Sequence, residues 1–159
     1  MSTPSERLRA LGITLPEAPA ALASYVPAVK VPLEGDRSLL YVAGQVPLES
    51  GKPRYTGLVP EQVSVEQAQD AARLCALNIL AQAQAACGLD NVRQVAQVTG
   101  FVQCGATFTE QPRVINAASD LLLEVLGEAG RHARVAVGSS ALPLGVPVEV
   151  AAVLVVSTG

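Results

Sequence analysis

Between His132 and Val150 the chain runs HARVAVGSSALPLGVPVEV, an apolar, β-branched stretch in which Arg134 and Glu149 are the only formal charges after His132. Burying a charge without a partner costs several kcal/mol. Each of the two must therefore lie at a wet strand end, pair with the other, or line a pocket. If residues 133–138 and 147–156 pair antiparallel around SSALPLG, a register with Arg134 opposite Glu149 puts both side chains on one face. An exposed cross-strand pair of that kind contributes about 0 to 1 kcal/mol. The functional alternative presents the planar guanidinium to a ligand carboxylate, which Arg holds bidentately and Lys does not. Glu149 is then left to handle a water.

The remaining chemistry-bearing residues offer less. Cys75, Cys87 and Cys104 stand too far apart for a Cys-x-x-Cys motif and are odd in number, so they read as small hydrophobes in a reducing compartment, with Cys104 packing at a strand end. His132 is the only histidine, and it reads as a solvated or interface residue ahead of a strand. A triad built on it with Ser139 or Ser140 lacks both a Gly-x-Ser-x-Gly turn and an acid to orient the imidazole. No metal site is expected from this ligand set, and no Gly-rich loop followed by Lys and Ser or Thr is present to cradle phosphate.

The elements that must position Arg134 and Glu149 follow from pattern. At 159 residues the chain is expected to form one domain, 1–159, with residues 1–20 as an N-terminal extension carrying a short helix at 5–11. SYVPAVKVP and SLLYVAGQVPL read as two strands around a Gly35-Asp36 turn. A long helix follows, opened by a Ser64/Gln67 capping box and stopped by Gly88. Its stripe of Val65, Ala68, Ala72, Cys75, Ile79, Ala83 and Ala86 is narrow and mostly small, which permits close approach to a sheet. VRQVAQVTGFVQC reads as a strand, and TFTEQPRVINAASDLLLEVLG as a second helix with Thr109 as cap and Gly127 as its end. The order β-β-α-β-α-β-β predicts an α/β (α+β) fold: one mixed sheet with two helices on one face. The last two strands are Val- and Ala-rich on both sides, so the second face also needs cover, and another copy of the chain is the simplest lid.

Composition narrows the function classes. Half of the residues are hydrophobic and only 16% are charged, a surface so poor in charge that part of it is expected to face partner subunits. Aromatic residues make up 3% and the net charge is −3, so stacking platforms and a basic footprint for nucleic acid are missing. No apolar run approaches the length of a membrane span, and the charged amino terminus lacks a signal-type stretch. These features lead to the expectation of a cytoplasmic protein without nucleic-acid or membrane partners.

Five stretches in order resemble the RidA family, also called the YjgF family. They are Ser24-Tyr25-Val26, Ala43-Gly44-Gln45-Val46-Pro47, Val114 with Asn116, Arg134, and Leu142-Pro143 with Gly145 and Val148-Glu149-Val150. The resemblance implies a chorismate-mutase-like fold and a homotrimer whose sheets close into a barrel, with a ligand pocket at each subunit interface. It also implies cofactor-free hydrolysis of reactive enamines and imines, such as 2-aminoacrylate, to 2-keto acids and ammonia. By the same resemblance Arg134 holds the substrate carboxylate, Glu149 positions or activates water, and Tyr25, Gly44 and Asn116 line the pocket. An imine is already electrophilic, so orientation and one general base suffice.

The chain departs from that pattern at Ala43, His132, Val135 and Ala136, which keeps the carboxylate clamp but removes polar groups from the expected pocket wall. These changes point to a divergent branch. A non-catalytic trimer that binds small carboxylates, regulatory or chaperone-like, is the alternative of a different class. Ribonuclease activity fits poorly with an acidic, aromatic-poor chain holding one histidine.

Overall fold

Gly35 takes φ +77° in the turn that joins β1 (Ala28–Pro32) to β2 (Arg37–Gln45), a conformation that glycine adopts without strain. The computed structural model describes residues 1–158. After β2 comes a small hairpin, β3 (Leu48–Glu49) and β4 (Lys52–Pro53), within what the sequence presents only as a loop. Helix α2 (Val65–Cys87) opens on the expected capping box: Ser64 Oγ accepts from Gln67 N, and Gln67 Oε1 accepts from Ser64 N. Then follow β5 (Val92–Gln103), α3 (Gln111–Leu126), β6 (Ala133–Ser139) and β7 (Val148–Ser157). The predicted cap at Thr109 is displaced by one residue. The cap position of α3 is Glu110, which makes no capping bond and pairs instead with Arg113 at 3.1 Å.

The five long strands form one mixed sheet in the order β1-β2-β7-β5-β6, with both helices on one face. Strand β7 enters between β2 and β5 and runs antiparallel to both, while β6 lies parallel to β5. The predicted antiparallel pairing of β6 with β7 is therefore wrong. The connection from Ser140 to Pro147 is too long for a tight hairpin. It crosses over the end of β5, where the buried Gln103 accepts from Leu142 N at 2.9 Å and donates its own N–H to Pro147 O at 2.8 Å. The crossover that a parallel pair requires is supplied by α3.

The helix-facing side of the sheet carries Leu40, Val42, Val95, Val98, Val102, Val148, Val150, Ala152, Leu154 and Val156, all buried. Ala68, Ala71, Ala72, Cys75 and Ala83 of α2 are fully buried against them, as the small-residue stripe predicts. Gly100 of β5 makes a matching allowance for α3, since a Cβ there would stand 2.6 Å from Ile115 Cδ1. The amino-terminal helix α1 (Pro4–Ala10) adds Leu8 to this same core. The opposite face has no such cover: Val29, Val31, Tyr41, Val135 and Val137 are each more than 40% exposed. No helix among the described residues is long and apolar enough to cross a membrane.

Candidate functional site

The parallel pairing of β6 fixes where Arg134 goes. Arg134 lies beside Val98 on the helix-facing side of an edge strand, half-buried against α3. Its Nη1 donates to Asn116 Oδ1 at 2.9 Å and to Ser119 Oγ at 3.1 Å, and its Nη2 donates to Pro112 O at 3.3 Å. All three acceptors are neutral, and Arg134 joins no ion pair among the described residues. The cluster extends further, because Ser119 Oγ lies 2.9 Å from His132 Nε2, and His132 Nδ1 lies 2.6 Å from Gly130 O.

Glu149 is elsewhere. It sits opposite Phe101 on β7, on the face turned away from the helices, with β5 between it and Arg134. Adjacent strands are spaced about 4.8 Å apart, so the two residues are separated by roughly 10 Å laterally as well as by the sheet itself. The cross-strand ion pair of the sequence reading does not exist. Glu149 is half-buried, its carboxylate has no hydrogen-bond partner or ion pair among the described residues, and burial raises its pKa above the ordinary range.

Gly44 makes the space that Glu149 occupies. A Cβ at position 44 would overlap Glu149 Oε1 and stand 2.9 Å from Cδ. The register of β2 against β7 slips between Val42 and Gln45, and this irregularity brings Gly44 under the carboxylate. Tyr25 lies outside β1 and is half-exposed. With Pro27, Gly44 and Gln45 it lines a cleft of about 20 Å³, enough for a single water. The five residues singled out from sequence thus form two clusters in one chain: Arg134 with Asn116, and Glu149 with Gly44 and Tyr25.

A sequence profile described as "YjgF/chorismate_mutase-like, putative endoribonuclease" matches residues 5–154. The chain belongs to this family. Protein TCP17 of Trypanosoma cruzi is 44% identical over 92% of this chain and 90% of its own length. The crystal structure of a protein of unknown function from Agrobacterium tumefaciens is 50% identical, with a TM-score of 0.83 over 95% of this chain and 91% of that one. Escherichia coli TdcF, solved with bound serine, is 26% identical, with a TM-score of 0.63 over 89% and 94% of the two chains. The mixed sheet with two helices on one face is the fold that this family membership entails.

Sequence reading missed Ser119 and its contact with His132. Both were within reach of simple periodicity. Ser119 follows Asn116 by three residues on α3, and His132 precedes Arg134 by two, so each shares a face with a residue already singled out. The imagined link from His132 to Ser139 fails, because Ser139 Oγ donates to Ala141 O at 2.7 Å at the far end of β6. Cys104 packs beside Gly138 and Gln111, in keeping with a packing role.

Proposed function

We propose that this protein hydrolyses reactive enamines and imines of the 2-aminoacrylate type to 2-keto acids and ammonia, in the cytoplasm and without a cofactor. Arg134 carries the reading. It is a half-buried guanidinium held only by neutral acceptors, with Nε–H and one Nη2 N–H uncommitted among the described residues. Those groups match a carboxylate in charge and geometry.

In the proposed step, Arg134 grips the substrate carboxylate, and Asn116 and Tyr25 bound the pocket. Water adds to the imine carbon as Glu149 accepts its proton and passes it to the nitrogen. The resulting carbinolamine loses ammonia and leaves the keto acid. Burial raises the basicity of Glu149, which suits it to accept a proton. Because the two clusters face opposite sides of one sheet, a complete site needs Arg134 from one copy and Glu149 from another. The uncovered apolar face supports such an assembly, and the homotrimer is the form proposed.

The departures at Val135 and Ala136 favour the second reading, a trimer that binds small carboxylates without turnover, since neither residue offers a hydroxyl or thiol. The nuclease in the family's description finds no support in a chain of net charge −3. The test is keto-acid release from 2-aminoacrylate generated in place, with wild type and Arg134→Ala compared against spontaneous hydrolysis. About a hundredfold loss of kcat/KM in the variant is expected. Equal release by both proteins removes the enzymatic reading, and tight pyruvate binding without turnover establishes the second.

A further inference from the structure

We propose that Ser119 and His132 are positioning residues that set which edge of the Arg134 guanidinium meets a ligand carboxylate, an inference that rests on the reading of Arg134 just given. The argument starts at the fixed end of the cluster. Gly130 is buried hard against α3, where a Cβ would stand 2.7 Å from the Leu122 carbonyl carbon, so its own carbonyl has little room to shift. A carbonyl oxygen only accepts, so His132 Nδ1, 2.6 Å away, carries the proton. In the neutral ring Nε2 is then an acceptor, and the Ser119 hydroxyl, at 2.9 Å, donates to it.

With its proton committed to His132, Ser119 Oγ turns its lone pairs outward and accepts from Arg134 Nη1 at 3.1 Å. Asn116 Oδ1 takes the other Nη1 hydrogen at 2.9 Å. Both Nη1 hydrogens are thereby used inside the protein. The uncommitted donors are Nε–H and one N–H of Nη2, and these two nitrogens share an edge of the guanidinium plane. A ligand carboxylate is directed to that edge. Without the His132 acceptor the Ser119 hydroxyl is free to rotate its hydrogen toward the guanidinium, which weakens the contact and loosens the fork.

The test compares Ser119→Ala, His132→Phe and His132→Gln with wild type and Arg134→Ala. The readouts are KM and kcat for 2-aminoacrylate, with pyruvate binding measured by calorimetry alongside. Ser119→Ala and His132→Phe are expected to raise KM and the pyruvate Kd about tenfold, with kcat within about twofold of wild type. His132→Gln keeps an amide oxygen for the Ser119 proton and is expected to stay within about threefold in all three. If a variant fails to fold, Ser119→Thr, which retains the hydroxyl, replaces it and is expected to behave as wild type. The inference is overturned if His132→Phe and His132→Gln behave alike, or if kcat falls while KM holds. Loss in Arg134→Ala with Ser119→Ala and His132→Phe at wild-type levels overturns the positioning role alone, whereas a fully active and pyruvate-binding Arg134→Ala overturns the underlying reading as well.

Discussion

Replacing Gly44 by alanine is expected to separate activity from stability. The new Cβ would overlap Glu149 Oε1 and stand 2.9 Å from Cδ and 3.2 Å from Cγ. These are the outer atoms of a flexible side chain, so Glu149 yields by turning, at about 0.5 to 1.5 kcal/mol for an off-rotamer χ. Alanine in a strand recovers about 0.5 to 1 kcal/mol relative to glycine. The two nearly cancel, and with a urea slope of about 1 to 3 kcal/mol/M the unfolding midpoint moves by no more than about 1 M. The proposed hydrolysis suffers instead, because displacing a group in the role proposed for Glu149 by about 1 Å can cost about a hundredfold. In a Glu149→Ala background that clash is gone, so the same substitution no longer affects the rate and stabilises the fold by about 0.5 to 1 kcal/mol. Gly130→Ala is the contrast: backbone atoms of Leu122 and Leu123 stand within 2.8 Å of its Cβ, cannot rotate away, and make the change cost more than about 2 kcal/mol. A Gly44→Ala variant that keeps its rate, or an equal stability change with and without Glu149, refutes the reasoning.

Glu149→Gln tests the electrostatics. Burial raises the folded-state pKa of Glu149 above its unfolded value, so the fold binds the proton more tightly and loses stability as the pH rises through that window. The glutamine variant is expected to be more stable than wild type in urea at pH 7, with the advantage vanishing as the pH falls below the ordinary carboxylate range. Asn78 is fully buried on α2 and donates to Val46 O at 3.1 Å and Leu48 O at 3.3 Å. Asn78→Leu removes both bonds, leaving Val46 O with only the Leu48 N–H at 2.8 Å, and should cost about 1 to 3 kcal/mol in chemical unfolding. Val137→Glu puts a charge on the uncovered face and is expected to leave the secondary structure by circular dichroism unchanged while lowering the mass seen by light scattering.

Local pattern told the elements but not their partners. The capping box at Ser64, the stop at Gly88 and the turn at Gly35 depend on a few adjacent residues, and each stands where its residue types require. The neighbour of β6 depends on a choice between a hairpin to β7 and a crossover through α3, and apolar alternation in the strands is the same for both. Only the length of the 140–147 connection and the buried Gln103 beneath it distinguish the two. The same ambiguity hid the relation of Arg134 to Glu149. Asn116 was found through a family resemblance, yet Ser119, one turn further along the helix, carries an equal share of the contact with Arg134.

The insertion of β7 between β2 and β5 puts Arg134 and Glu149 where, under the proposed function, one chain cannot combine them by itself. In the proposed assembly, chains lacking Arg134 and chains lacking Glu149 rescue one another when mixed. Random association of equal amounts rebuilds about a quarter of the pockets with both residues intact. Dilution has the opposite effect, silencing molecules whose tertiary structure is untouched.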